Sequence, residues 1–489
     1  MPGMAPQSID IIGHVLKVLD ELVVPQVEAP GARAFADICS RLLHQVLIRE
    51  TELEDLRRER DERAHAVTSR LAQALDTIAC REPMHAPQDG ALIQAFGTRL
   101  DELQDGESSA ILEGMRQRVG IEKEFRERID PEVALGMASL FTGGLVDRDR
   151  VKFGRTSAVG HGELDPPALQ RCLRQHGPDW RHLRVLSLVR IQGGFSKQTL
   201  RLELADAPWA GTHFIIRRDR PKAYTGTTVA TEFPVIQRMH ADGLTVPEPL
   251  WLEPEGELGP AFMILRQARG RNDISGWQSQ PQSVDRFLQD LARQMALLHR
   301  IDPARCGLEA DPATPVSELI RRDIEHWSSL GGLQAPDAPP LLRAARTWLL
   351  RHVPRDSGVA RVVHSDIGFH NLLTDGGEIT ALLDWEFCHL GDPQEDLNYV
   401  RAFVERVGSW SRFLEYYQRQ GGEPFREPDS RFWKVWGSFR SGAGCAGALH
   451  AFNAGSFGSA AEAVTLAVSG LNFGPRFELD AAMVIVDPS

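Results

Sequence analysis

The sequence has 489 residues, of which 42% are hydrophobic and 25% are charged, a composition typical of globular proteins. This length exceeds that of one average domain, so we expect two or three domains. The net charge of −12 argues against general binding to nucleic acids, which requires a basic face. The six cysteines form no CxxC pair, so the spacing indicates neither a disulfide framework nor a structural metal site.

The start of the chain lacks the layout of a signal peptide, and no apolar run reaches the roughly 18 residues that a membrane span needs. We therefore expect a cytoplasmic protein without a membrane partner. A small molecule or another protein is the expected ligand.

Residues 1–140 predict an all-α domain, because IDIIGHVLKVLDELVVPQV and residues 32–80 repeat apolar residues at intervals of three and four. The charged run RETELEDLRRERDERAHAVTSR is typical of a solvated helix face. This domain contains no catalytic set of residues.

Glycine and proline accumulate in residues 141–180, which predicts a linker with a short helix near its end. Residues 181–270 contain the β-rich runs RVLSLVRI, TLRLELA and THFIIRRD, then a helical segment and two further strands. They predict an antiparallel sheet with one helix, the N-lobe. Residues 271–489 predict a mostly helical C-lobe with a short hairpin formed by VVHSDIGFHNLL and TALLDWEFCHL. The fold class is therefore α+β.

The hairpin contains oxygen-bearing side chains where a core would be expected. Asp366 and Asn371 are five residues apart, and Asp384 follows the next apolar run. Amide and carboxylate oxygens suit Mg²⁺, and a further carboxylate can accept the proton of a hydroxyl. Asp366 is the candidate base for phosphoryl transfer, with Asn371 and Asp384 as metal ligands.

The turn QGGFSKQT lies between the first two predicted strands. Gly193 and Gly194 let the backbone approach a ligand closely, and the Ser196 hydroxyl could contact phosphate oxygens. Such a turn alone is often only a turn, and it is no Walker P-loop. The downstream hairpin favours the phosphate-binding interpretation.

Arg217 ends a strand and Glu232 lies early on the next helix, so the two could pair and direct the cation at the phosphates of a nucleotide. Arg218 is the alternative cation. Backbone groups of Leu265 to Gln267, between the lobes, could bind an adenine.

HSDIGFHN and LLDWEFCHLGDPQEDL resemble the catalytic core of the aminoglycoside phosphotransferase family, in particular its branch associated with acyl-CoA dehydrogenases, over about residues 186–457. The resemblance implies a bilobal protein-kinase-like fold, ATP and Mg²⁺ as cofactors, and transfer of the γ-phosphate to a hydroxyl. It implies the same roles for Asp366, Asn371 and Asp384, and Arg217 where many kinases have Lys. Ser365 departs from the family pattern, which has Gly.

The branch acts on hydroxyacyl-CoA molecules, so a hydroxyacyl-CoA or hydroxy acid is the favoured acceptor. An antibiotic kinase is the alternative; it would need carboxylates in the C-lobe, which instead has scattered arginines: Arg412, Arg419, Arg431 and Arg440. A nucleotide-binding pseudokinase is the third possibility. The N-terminal domain resembles the small accessory protein of the levulinate-pathway kinase, which implies a protein partner or a homo-oligomer.

Other polar residues of the C-lobe have expected structural roles. His364 is expected to bond the backbone. His370 is expected to pack, with contact to the substrate as the alternative, and Asp392 and Asp396 are expected to anchor or cap the next helix. His299 is expected in the core.

Overall fold

The computed structural model describes residues 164–191, 196–220, 226–308, 311, 313–335, 338–355, 358–454 and 473–486, and isolated positions at 58, 59, 62, 63, 66, 117, 120, 121, 124, 466 and 470. The chain divides into two compact units, residues 1–158 with 482–489 and residues 159–481. Almost all of the predicted N-terminal domain lies outside the described residues, and its few described positions are helical. Within the described ranges, no helix combines the length and apolarity needed to cross a bilayer.

The N-lobe contains a five-stranded antiparallel sheet in the order β1-β2-β3-β5-β4. The strands are β1 (Arg184–Ile191), β2 (Lys197–Ala205), β3 (His213–Asp219), β4 (Pro249–Glu253) and β5 (Phe262–Arg266). A helix, Val229–Ala241, lies between β3 and β4 in sequence, and Thr228 forms a capping box at its start. The predicted sheet with one helix is confirmed.

The face of the sheet that points away from Arg217 is covered by an additional layer. Helix α1 (Pro166–Arg174) and the 3₁₀ turn Pro178–Trp180 pack on alternate residues of β2, β3 and β5. Leu169 and Leu173 are fully buried in this core. The predicted domain boundary at residue 181 therefore lies inside a packed layer, and the lobe includes residues assigned to the linker.

The C-lobe is mostly helical, as predicted. The N-lobe helix Val229–Ala241 is α2. The helices of the C-lobe are α3 (Pro281–Leu298), α4 (Val316–Leu330), α5 (Pro340–Arg351), α6 (Pro393–Val407), α7 (Trp410–Arg419), α8 (Ser430–Asn453) and α9 (Gly474–Val486). Two small ladders hold the segment that contains Asp366 and Asn371: β6 (Arg361–Val363) pairs with β9 (His389–Gly391), and β7 (Leu372–Asp375) pairs with β8 (Glu378–Leu382). The predicted hairpin is β7–β8, and β6–β9 flanks it.

The segment between the lobes is bonded to this hairpin. Arg271 exchanges backbone hydrogen bonds with Thr374, at 3.0 and 2.7 Å, and the Thr380 hydroxyl donates to the carbonyl of Arg269 at 2.6 Å. Gly270 has φ of +93°, and a Cβ there would lie 2.3 Å from Thr380 Oγ1. Only glycine allows this close approach, which ties the position of the N-lobe to the hairpin.

Candidate active site

The backbone before Asp366 is fixed by the buried carboxylate of Asp396. Its oxygens accept hydrogen bonds from the N–H groups of His364 (2.9 Å) and Ser365 (2.6 Å). Burial would raise the pKa of Asp396, but the hydrogen bond from His299 and the nearby histidine charges lower it. Asp396 was expected to anchor or cap the next helix, but its ionised carboxylate instead holds the loop that precedes Asp366. His299 is a core residue, as expected.

Ser365, where the family pattern has glycine, is buried and belongs to a polar network. Its φ is +68°, in the left-handed region. Its hydroxyl donates to Glu395 at 2.7 Å and lies 3.2 Å from His389 Nδ1. Arg440 donates to the Ser365 carbonyl and, at 3.1 Å, to Glu395. The hydroxyl therefore connects the loop to β9 and α6, and the backbone carbonyl of Ser365 connects it to α8.

Asp366 receives hydrogen bonds on both oxygens. Asn371 Nδ2 donates to Oδ2 at 2.8 Å and to the Asp366 carbonyl at 3.1 Å. His370 Nε2 lies 3.3 Å from Oδ1, and the hydroxyl of Tyr399 donates to the same oxygen. Burial would raise the pKa of Asp366, but the hydrogen bond and charge of His370 and the charge of Arg440 lower it. Asp366 is therefore a carboxylate at neutral pH.

His370 packs against Phe403, and it also contacts Asp366. Burial, which would lower the pKa of His370, is outweighed by that carboxylate, which raises it. The prediction for His364 is confirmed, since its Nε2 is 2.9 Å from the carbonyl of Leu383.

The hairpin brings Asn371 and Asp384 together. The N–H of Leu383 donates to the Asn371 carbonyl at 2.8 Å, so Asp384 follows directly after a residue bonded to Asn371. Asp384 has φ of +65° and ψ of +68°, which turns the chain sharply into the 3₁₀ segment Trp385–Phe387. A non-glycine residue in this conformation is uncommon and is often found at functional sites.

Arg217 connects the sheet to the hairpin. Its guanidinium donates to Asp384 Oδ1 at 2.7 Å, whereas Glu232 lies 3.8 Å away. Burial would lower the pKa of Arg217, but the charges of Asp384, Glu232 and Glu386 raise it. The expected partner Glu232 is thus near, but the closer contact is to Asp384.

Two residues beside the glycine-rich turn extend this charge network. Lys197 is buried and donates to the Thr227 carbonyl at 2.8 Å, and it lies 3.5 Å from Glu386. The Ser196 hydroxyl also hydrogen-bonds Glu386. Burial and the charge of Asp384 raise the pKa of Glu386 to about 7. Gly193 and Gly194 lie outside the described residues.

Three other predicted groups are used by the sheet itself. Arg218 is on the opposite face from Arg217 and donates to the Leu258 carbonyl at 2.6 Å, so it is not the cation of this site. Leu265 pairs with strands on both sides. The N–H of Gln267 donates to the backbone carbonyl of His213 at 3.2 Å. An adenine could accept a hydrogen bond from this N–H only if the bond to His213 were broken.

The sequence reasoning missed Lys197 and Tyr399. Tyr399 lies three residues after Asp396, on the same face of α6, and that spacing could have placed it near the loop. Lys197 follows the glycine-rich turn directly, but its burial has no signal in the sequence.

Comparison with known proteins identifies this arrangement. Residues 187–434, about half of the chain, match the phosphotransferase enzyme family (APH). The chain belongs to this family. Acyl-CoA dehydrogenase family member 11 of Rattus norvegicus is 25% identical over 266 residues, 53% of this chain and 33% of that protein. This phosphotransferase chain thus spans about a third of the length of that relative.

Two further similarities lie within the same family. Hygromycin-B 4-O-kinase of Escherichia coli is 32% identical over 73 residues, 15% of this chain and 21% of that protein. The solved structure of a thermostable mutant of aminoglycoside phosphotransferase APH(4)-Ia, in complex with ADP and hygromycin B, aligns with a TM-score of 0.46 at 16% identity, over 67% of this chain and 100% of that chain. The predicted phosphotransferase class is confirmed by the family match.

Proposed function

We propose that this phosphotransferase transfers the γ-phosphoryl group of ATP to a hydroxyl of a small molecule, with Asp366 as the base. The observation that carries the proposal is the environment of Asp366: a partly buried, ionised carboxylate bonded by Asn371, His370 and Tyr399. Three donors fix its orientation, which positions the carboxylate for an incoming hydroxyl.

The reaction forms a bond between the acceptor oxygen and the γ-phosphorus and breaks the bond from that phosphorus to the leaving ADP oxygen. Little proton abstraction is needed before the phosphorus–oxygen bond forms. A carboxylate with a lowered pKa suits this order, because it first orients the hydroxyl and then receives its proton.

Asn371 and Asp384 fit Mg²⁺. The Nδ2 group of Asn371 donates to Asp366, which leaves the side-chain oxygen Oδ1 for a metal ion. The carboxylate of Asp384 follows Leu383, whose N–H donates to the Asn371 backbone carbonyl. When bound, Mg²⁺ would neutralise charge on the phosphate oxygens. Arg217, which contacts Asp384, is positioned to add a second positive charge.

The acceptor is proposed to be a hydroxyacyl-CoA or hydroxy acid, in line with the acyl-CoA dehydrogenase name of the curated relatives. A polycationic antibiotic would need free carboxylates near Asp366. Those at the start of α6 already have partners, because Asp392 contacts Arg426 and Glu395 contacts Arg440.

Arginines around the site could attract an anionic acceptor, but the four C-lobe arginines named above have partners within the protein and add no support for one. Arg440 is buried against Glu395, Arg412 pairs with Asp285 at 2.9 Å, and Arg419 lies 3.6 Å from Glu415. Arg431 lies over the ring of Trp348. They form no common site.

The test is ATP consumption by the full chain with 3- and 4-hydroxyacyl-CoAs, aminoglycosides and hydroxy acids. We expect turnover with a hydroxyacyl-CoA or hydroxy acid, and Asp366→Asn should lower kcat by about 10²- to 10⁴-fold while nucleotide affinity is kept. Asp375→Asn, at an exposed carboxylate of the same hairpin, is the matched control and should be neutral.

Turnover with aminoglycosides alone would favour the antibiotic kinase and overturn the acceptor class. No ATP consumption with any acceptor, together with preserved nucleotide binding, would favour the pseudokinase.

The N-terminal helical domain is proposed to bind a protein partner or a second copy of the chain. Removal of residues 1–140 should then change the oligomeric state or the kinetics. Unchanged sedimentation and unchanged kcat/KM would exclude this role.

A further inference from the structure

A cluster of three metal-binding side chains lies outside the candidate active site. Cys172 is on the last turn of α1, His176 follows that helix, and Glu253 ends the edge strand β4. Their donor atoms all lie within 4.8 Å of one another. Glu253 pairs with Phe262 across the ladder and so shares the sheet face that α1 covers, opposite Arg217.

The carboxylate of Glu253 is the centre of this cluster. Cys172 Sγ lies 3.5 Å from Oε1, and His176 Nε2 lies 2.9 Å from Oε2. A thiolate, an imidazole and a carboxylate are the three ligand types that zinc takes in proteins, and three such ligands leave a fourth tetrahedral position for water. The separations are close to those that one small ion would require.

The surroundings of the cluster orient its ligands. Trp251 Nε1 donates to Glu253 Oε2 at 2.8 Å, the kind of outer hydrogen bond that orients a ligating carboxylate. The His176 ring lies against Trp251, with centroids 4.3 Å apart, and meets the edge of Trp180 at 5.6 Å. Two indole rings therefore restrict the imidazole while its Nε2 points at Glu253.

An activated cysteine is the competing interpretation. Burial and the neighbouring Glu253 raise the pKa of the Cys172 thiol to about 11. A nucleophilic cysteine requires a lowered pKa, so the cluster does not suit a nucleophile at neutral pH. A bound cation reverses this effect, because it stabilises the thiolate.

We propose that Cys172, His176 and Glu253 bind one zinc ion, which ties the covering helix α1 to the edge strand β4 of the N-lobe sheet. Binding replaces the Sγ–H proton of Cys172 with a sulfur–metal bond and releases that proton to solvent. The Nε2 of His176 becomes a ligand when its proton is on Nδ1. The sequence spacing gave no sign of this site because Glu253 lies far along the chain.

The experiment is a cobalt titration of the chelator-treated full chain, without nucleotide. We expect the near-ultraviolet charge-transfer band of a cobalt–thiolate bond, saturating at one ion per chain and removed by zinc. Cys172→Ser should abolish the band, whereas Cys306→Ser, at a buried cysteine elsewhere, should preserve it.

Two further variants keep the test independent of the cysteine. His176→Gln should weaken zinc affinity by at least about 100-fold, whereas His182→Gln, at an exposed histidine nearby, should leave the affinity unchanged. Trp251→Phe should weaken zinc affinity by about 10- to 100-fold. A band that persists in Cys172→Ser, or the absence of any band in the wild-type chain, would overturn the proposal. Because the readout is spectroscopic, either result is separate from the kinase proposal.

Discussion

Ser365 offers the sharpest test of how the catalytic loop is held. Its side chain occupies a left-handed position, φ +68°, and its hydroxyl donates to Glu395 at 2.7 Å. Glycine would relieve the backbone cost, whereas alanine would keep it. Both replacements lose the hydrogen bond, so the pair separates the two contributions.

The magnitudes can be estimated from this geometry. A hydrogen bond to a charged group contributes about 1.5–3 kcal/mol, and we take about 1.5 because Arg440 and His389 still contact Glu395. Ser365→Ala should therefore destabilise by about 1.5 kcal/mol. Relative to alanine, glycine stabilises the left-handed backbone of the folded state by about 1–2 kcal/mol. Its greater freedom in the unfolded chain offsets about 0.4–1 kcal/mol of this gain. Taking the middle of each range, Ser365→Gly should be more stable than Ser365→Ala by about 0.8 kcal/mol.

Urea unfolding followed by tryptophan fluorescence measures this difference. All ten tryptophans lie between Trp180 and Trp436, so the signal reports on residues 159–481. The N–H groups bonded to Asp396 are unchanged in both variants, so kcat should stay within about threefold of wild type. If Ser365→Gly is as unstable as Ser365→Ala, the argument from the left-handed backbone is refuted.

Three other substitutions test separate contacts. Tyr399→Phe removes a hydrogen-bond donor to Asp366 and should lower kcat about tenfold without changing the nucleotide KM. Tyr416→Phe is the control and should leave kcat unchanged. Equal kcat values for Tyr399→Phe and wild type would contradict a role for this hydrogen bond. Gly270→Ala, whose Cβ would meet Thr380, should lower the free energy of unfolding by more than about 2 kcal/mol. Gly358→Ala, at a positive φ with open space around it, is the control and should lower it by about 1 kcal/mol. The midpoints of urea unfolding measure this difference. The charges of Asp323 and Glu395 outweigh burial and raise the pKa of His389 to about 10. The protonated ring therefore stabilises the fold fully below about pH 6.5, and this stabilisation is lost as the pH rises through 10. The free energy of unfolding that His389→Gln removes should be larger at pH 6 than at pH 10.5 by several kcal/mol, since each pKa unit corresponds to about 1.4 kcal/mol, and a pH-independent loss would argue against a charged ring.

The hairpin was predictable because its contacts are local. Asp366 and Asn371 are five residues apart, and a β-hairpin returns Asp384 to them, so residue types and spacing were enough. The strands of the N-lobe were equally readable from their β-rich runs. These parts of the fold depend on short-range pattern.

The rest depends on contacts that spacing does not encode. His370 is adjacent to Asn371 in sequence, but only the 3₁₀ turn Phe369–Asn371 directs its ring to Asp366. Arg217 was expected to pair with Glu232, yet the closer carboxylate comes from the other lobe. Composition also assigned residues 141–180 to a linker with a short helix near its end, because glycine and proline do not show that Leu169 and Leu173 cover a sheet.

The aromatic rings beside Asp366 bear on the acceptor. Phe403 lies 5.8 Å from the ring of Tyr399 and 6.1 Å from that of His370, and it meets the edge of Phe369 at 5.5 Å. Phe369 is buried, so the partly exposed rings are those of Tyr399, Phe403 and His370, and the carboxylates at the start of α6 that could attract amines have partners of their own. A surface of this kind favours an acceptor whose hydroxyl is carried on a hydrocarbon chain, because burial of apolar area would hold it beside Asp366. A hydroxyacyl chain has that character and a polycationic sugar does not, so kcat/KM should rise with acyl chain length until the ring-lined surface is filled. A flat dependence on chain length, measured with a series of hydroxyacyl-CoAs, would show that these rings do not bind the acceptor.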